Sequence, residues 1–393
     1  MVDRRRFLSA SAASALATLA STRLTFASIP TEKRLIFIVL RGGLDSLHAL
    51  PPYADKDFLR LRPTLARAGE QADGVVDLDG YFGMHRALAP LLSLYEAKAL
   101  LFVPAAATQY RDRSHFDGQN LLENGSGKPY GAKTGWLNRA LEPFQGEDRR
   151  FGLSIGPAVP LILQGDVRIQ TWSDSALPDA DEDFLRRLLK TYSTDPLFSD
   201  ALQDAVGAPQ TEVGSAGMRA RPLRGANFTQ SVRAAADLLS RVDGPRVAVL
   251  DLDGWDTHFD QDRRLSTLFE SLSQGILALQ SGLAQHWSDT AVLVVSEFGR
   301  TAAENGNRGT DHGTGGLAML AGGAVAGGRI NGVWPGLSSK ALWEGRDLRA
   351  VNSYESLFKA LLMGHLGLEQ NWVEDQVFPQ SRRLEPMSGL LRT

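Results

Sequence analysis

Arg34-Leu35-Ile36-Phe37-Ile38-Val39-Leu40, running into Arg41-Gly42-Gly43-Leu44-Asp45-Ser46-Leu47-His48, decides the fold. From Leu35 to Leu40 no residue is polar, and a strand with no polar face is buried on both sides. The paired glycines that follow let the backbone turn sharply or approach a ligand. Runs at 100–103, 247–250 and 291–295 read the same way. Helical periodicity fills the chain between them, at 87–96, 116–123, 183–189, 226–242 and 263–286. Buried strands alternating with helices predict an α/β fold: a mostly parallel sheet flanked by helices on both faces. Such sheets bind ligands beyond the carboxyl ends of their strands.

Composition narrows the function. A chain of 393 residues, 43% hydrophobic and 22% charged, is globular rather than disordered, collagen-like or coiled-coil. A net charge of −3 offers no cationic surplus for nucleic acid. The absence of cysteine excludes disulfides, thiolate zinc sites and thiol nucleophiles. At the start, Asp3-Arg4-Arg5-Arg6-Phe7-Leu8 precedes a weakly apolar Ala/Ser run and the small-residue stretch Thr25-Phe26-Ala27. This pattern describes a signal peptide over 1–27, and its adjacent arginines resemble the twin-arginine export motif. The expected partner is the twin-arginine export machinery, and the expected location is the periplasm or the medium. Residues 28–393 read as one domain, with 160–225, richer in Pro, Asp, Ser and Gly, as an insertion or cap. No run reaches the length of a stable membrane span.

The chemistry-bearing residues follow the predicted strands. After the first comes Asp45, either a ligand for a metal or positive partner, or the cap of the next segment. After the second comes Arg111-Asp112-Arg113-Ser114-His115-Phe116-Asp117, opening a helix. A hydroxyl there sits in a field that favours anions, with Arg113 and His115 adding cationic character; the alternative is a plain helix-capping serine. After the third comes Gly254-Trp255-Asp256-Thr257-His258, whose Asp256 and His258 point the same way in an extended segment. After the fourth come Ser296-Glu297-Phe298-Gly299-Arg300 and Gly309-Thr310-Asp311-His312-Gly313. Carboxylates and imidazoles packed so closely are expensive unless they pair or coordinate. The candidate metal ligands are therefore Asp256, His258, Asp311, His312, Asp45 and Glu297. His85 has a thinner context in this set, and His286 and His365 read as surface or satisfied core. Pro129 after Gly127-Lys128 excludes a phosphate-binding P-loop.

Taken in order, these segments resemble domain-of-unknown-function family 1501, which is placed with the alkaline-phosphatase-like enzymes. The resemblance covers nearly the whole chain after the leader. It implies an alkaline-phosphatase-like three-layer sandwich and a hydrolase of phosphate or sulfate esters, acting on a small anionic ester or a glycan. It implies a divalent metal, zinc foremost, with calcium or manganese as alternatives. It places Ser114 as nucleophile, with Arg113 and His115 as the catalytic residues around it, or else a metal-activated water. Arg41 and Phe298 stand near positions where the superfamily has ligands, so a single ion, or a rearranged pair using Asp45 and Glu297, fits better than the standard two. Formylglycine sulfatase chemistry is excluded, because Ser114 leads into His115-Phe116-Asp117. The rival reading is an exported, non-catalytic binding or assembly protein on the same fold.

Overall fold

A computed structural model describes residues 31–66, 75–145, 151–173, 187–188, 190–192 and 226–392. The leader expected at 1–27 and most of 174–225 lie outside the described residues, as does nearly all of the helix expected at 183–189.

Each apolar run forms a strand where its composition demands one. These are β1 (Arg34–Arg41), β4 (Leu100–Ala107), β7 (Val247–Asp253) and β8 (Thr290–Val295). A small hairpin joins β2 (Val75–Asp77) to β3 (Gly83–His85). The main sheet adds β5 (Gly152–Ile155), β6 (Ile169–Trp172), β9 (Gly316–Ala321), β10 (Arg329–Ile330) and β11 (Asn352–Ser353). Its order is β10-β4-β9-β8-β1-β7-β5-β6, with β11 also on β4. Within the region 160–225, residues 169–172 thus supply an edge strand of this sheet, parallel to β5.

Within the main sheet every described pairing is parallel except those of β9, which runs antiparallel to both β4 and β8. One rim therefore collects the carboxyl ends of β1, β4, β7 and β8 together with the amino end of β9. The loops leaving four strands and the loop entering a fifth meet there.

Side chains alternate along β1, and the two sets feed different cores. Ile36, Ile38 and Leu40 pack with Phe228, Val232, Phe269 and Ile276 from α2 (Ala226–Ser240) and α3 (Gln261–Gly282). Leu35, Phe37 and Val39 pack with Leu122 of α1 (His115–Asn124), Trp136, and Phe358 of α4 (Tyr354–Gly364). Helices thus cover both faces, as expected from the unbroken apolar strands. The helix expected over 87–96 is instead a 3₁₀ segment, Arg86–Leu91, followed by Leu92–Glu96. Pro90 lacks the N–H that an α-helix would need there. Among the described residues no helix is long and apolar enough to cross a membrane.

Candidate metal centre

The rim loops are fastened before any ligand is placed. Gly42 has φ of 122°, and a Cβ there would lie 2.4 Å from Asp256 N, so only glycine lets the β1 exit pass the β7 exit. Beyond β8 and before β9 the chain continues as an antiparallel ribbon. Thr301 N donates to Asp311 O (2.9 Å), Gly313 N to Gly299 O (2.9 Å), and Arg300 bridges His312. The antiparallel course of β9 is what returns Asp311 and His312 to the rim. Arg300, buried, then pins three loops. Its guanidinium donates to Gly43 O (2.7 Å), Gly42 O, Thr310 O (3.1 Å), Trp255 O (3.2 Å) and Asp256 Oδ1 (2.6 Å).

On this frame three imidazoles converge. His312 Nε2 lies 2.9 Å from His115 Nε2 and 3.0 Å from His258 Nε2. Asp256 Oδ1 is 3.0 Å from His258 Nε2, 3.3 Å from His312 Nε2 and 3.5 Å from His115 Nε2. The opposite nitrogen of each ring faces an oxygen. His115 Nδ1 meets Glu297 Oε1 at 2.6 Å, His258 Nδ1 meets Asp311 Oδ1 at 3.2 Å, and His312 Nδ1 meets the Arg113 carbonyl at 3.0 Å. A carbonyl only accepts, so His312 carries its proton on Nδ1 and aims a lone pair inward; a carboxylate partner favours the same tautomer in the other two rings. Lone pairs this close repel one another unless a proton or a cation lies among them. Ligands on bonds of about 2.0–2.1 Å in a tetrahedron sit about 3.3 Å apart, close to the spacing among His115, His312 and Asp256, whose ligand atoms all lie within 4.8 Å of one another. The donor set therefore fits a divalent cation with nitrogen and oxygen ligands.

The electrostatics agree. Burial pulls the His115 imidazole down, but hydrogen bonds to Asp256 and Glu297 outweigh it and lift the pKa to about 9. With its pKa raised this far, the His115 ring favours the protonated form, whose Nε2 faces His312 Nε2 at 2.9 Å. Glu297 is fully buried; burial pushes its carboxyl up, yet donors from His115 and Gln119 leave it below its ordinary value. Asp256 is likewise held low against its own desolvation by His115, His312 and Arg300. Phe298 lies under the cluster, its ring 4.8 Å from His115 and 5.4 Å from His312. Above, the site is open: the Asp256 and His258 side chains are 47% and 40% exposed.

The sequence candidates thus separate. Asp256, His258 and His312 come together, joined by His115, which the resemblance had placed beside the nucleophile. Glu297 and Asp311 stand behind the rings rather than among them. Asp45 lies elsewhere, buried: it caps Ser46–Ala49 and accepts from Arg62 (2.7 Å) and Gln261 (2.5 Å). Ser114 caps α1, accepting from Asp117 N at 3.5 Å. The Arg113 guanidinium is taken by Asp347 (2.8 Å) and Glu344 (2.6 Å), and its carbonyl is what touches the cluster. Arg41 is paired with Glu123 (2.7 Å) and Asp251 (3.0 Å). His365 is satisfied in the core by Arg34 O at 2.8 Å. His85 joins His48 and Asp262 in a separate group.

Residues 32–374 match the family described as protein of unknown function (DUF1501). No curated protein matches the chain. Among solved structures the chain is similar to Ps i-CgsB in complex with k-i-k-neocarrahexaose, at 13% identity over 90% of this chain and 77% of that one, with a TM-score of 0.44. It is similar to a TAB5 alkaline phosphatase mutant with Mg bound, at 10% identity over 74% and 91% of the two chains, TM-score 0.35. It is also similar to the C-terminal periplasmic domain of EcEptC from Escherichia coli in complex with Zn, at 7% identity over 75% and 74%, TM-score 0.34.

Proposed function

The chain belongs to the DUF1501 family of proteins of unknown function, and from its rim we propose that it is an exported, metal-dependent hydrolase of phosphate or sulfate esters. One observation carries this reading: three imidazoles aim Nε2 at a single carboxylate, each held from behind through Nδ1 by an oxygen. Asp256, His115, His258 and His312 would hold the ion, zinc foremost. The ion, when bound, supplies Lewis acidity toward an ester oxygen and acidifies a nucleophile. The chain does the rest. Glu297, Asp311 and the Arg113 carbonyl fix the rings, as outer carboxylates and carbonyls do around metal-binding histidines. Arg300 holds Asp256 in register with three loops. The open mouth admits a small anionic ester or the end of a glycan. Ser114, one residue before His115, is the nucleophile if its hydroxyl leaves the cap; otherwise water attacks. Residues 1–27 direct the folded protein through the twin-arginine machinery to the periplasm or the medium.

The test is elemental analysis of the purified chain together with a panel of aryl phosphates and sulfates. Hydrolysis that disappears with a chelator and in His312→Ala supports the reading. In Ser114→Ala a loss of about a thousandfold assigns attack to the serine, and near-wild-type turnover assigns it to water. A loaded protein that turns over no ester, and whose melting temperature falls on chelation, instead carries a structural ion in a binding or assembly protein.

A further inference from the structure

A second group of ligand atoms lies apart from the rim cluster. His48, in the short helix Ser46–Ala49, His85, at the end of β3, and Asp262, in the first turn of α3, bring one ligand atom each within 4.8 Å of one another. His48 and His85 are 5% and 8% exposed, and their rings stack at 5.0 Å, 29° from parallel. Phe269 closes the apolar side, 5.0 Å from His85 and 6.3 Å from His48. Asp262 is half exposed and opens the group to solvent.

The contacts to Asp262 are long for hydrogen bonds, although His48 and His85 hold its carboxyl well below the usual carboxylate range. His48 Nε2 is 3.4 Å from Asp262 Oδ1 and His85 Nε2 is 4.0 Å from it, both beyond a normal N–H···O contact. His48 Nε2 is buried and has no hydrogen-bond partner, which is a costly state for an imidazole nitrogen. Ligands bound at about 2.0–2.1 Å to one cation lie about 3.3–4.1 Å apart, depending on the angle between them, so both separations are ones a cation spans. Two nitrogens and one oxygen select a borderline ion such as zinc or cobalt over magnesium or calcium.

We propose that His48, His85 and Asp262 form a second divalent-cation site, independent of the rim cluster, with Asp262 at its entrance. Binding carries a local signature. Without the ion, His85 Nδ1 accepts from Ala87 N at 3.1 Å, so the ring proton sits on Nε2. Coordination through Nε2 moves that proton to Nδ1, and the bond from Ala87 N–H opens.

Cobalt(II) is titrated into the chelated full-length protein, counted by elemental analysis, and followed in its visible spectrum. Two ions per wild-type chain are expected, one in Asp262→Asn and one in His312→Ala. One ion in the wild type and none in His312→Ala would overturn the second site, as would two retained in Asp262→Asn. Two retained in His312→Ala would instead count against the rim cluster, so the two sites fail separately. Zinc added to the wild type provides a measurement free of substitution: the Ala87 amide resonance should shift and its hydrogen exchange accelerate. An Ala87 amide unmoved by saturating zinc refutes the site.

Discussion

The decisive perturbation of the rim is Glu297→Gln. Glu297 is buried, and its Oε1 takes donors from His115 Nδ1 (2.6 Å), Gly42 N (2.9 Å) and Gln119 Nε2 (3.0 Å). Its Oε2 faces Ser296 Oγ at 2.9 Å. A glutamine fits the same space: its oxygen keeps the three donors and its amide turns to Ser296. Shape is kept and only the charge behind His115 is lost. Loss of a partner of this kind typically costs 10- to 100-fold in metal affinity, about 1.4–2.7 kcal/mol. Together with the hydrogen bond to Asp256, the charge also sets a pH dependence. The folded pKa of His115, about 9, stands above the ordinary value of about 6.5. In the ion-free protein this contributes stability that is complete below about pH 6.5 and lost as pH rises through about 9. The full shift corresponds to about 3 kcal/mol; solvent screening of a partly exposed ring leaves about 1–2 kcal/mol. Zinc competition titrations at constant pH, and urea unfolding of chelated wild type and Glu297→Gln from pH 6 to 9, read both quantities. Zinc affinity in the variant within twofold of wild type, or a wild-type stability flat across that range, would refute the assigned role of Glu297.

Other substitutions separate the parts. Asp45→Ala leaves Arg62 buried without its carboxylate and should destabilise by about 3–5 kcal/mol, while chelated and loaded proteins lose the same amount in urea unfolding. Arg300→Lys, which cannot reproduce the planar fork to several carbonyls, should lose about 2–4 kcal/mol and weaken zinc binding together; intact affinity would refute its role as the pin of the site. Gly42→Ala should displace Asp256 through its clash with the Asp256 backbone; an unchanged cobalt spectrum at the rim would contradict that. In the chelated wild type at pH 7.5, calorimetry in buffers of different ionisation heat should find about one proton released by His115 per zinc bound at the rim.

Fold legibility followed burial. The runs that became β1, β7 and β8 are apolar on both faces and readable without context. The strand β9 was hidden, because Gly316-Leu317-Ala318-Met319-Leu320-Ala321 lacks β-branched residues and draws its strand state from β4 and β8 on either side. Within the site, Asp256, His258 and His312 were legible as a group from residue type and position after strands. Separating ligand from orienter was not, since Asp256, Asp311 and Glu297 are chemically alike until their distances are known. Asp45 and Ser114 each carried a capping alternative, and capping is what both side chains do here. The grouping of His48 with Asp262 had no local signal, because the two come from distant segments that meet only when α3 packs on the sheet.

The reversal of β9 has a consequence for assembly. His312 reaches its neighbours only if the strand behind it is zipped between β4 and β8, while His115 and Asp256 arrive from the far sides of that junction. Ion capture at the rim is thus a readout of completed sheet closure, and damage deep in the middle of the molecule would empty the mouth without altering a single ligand.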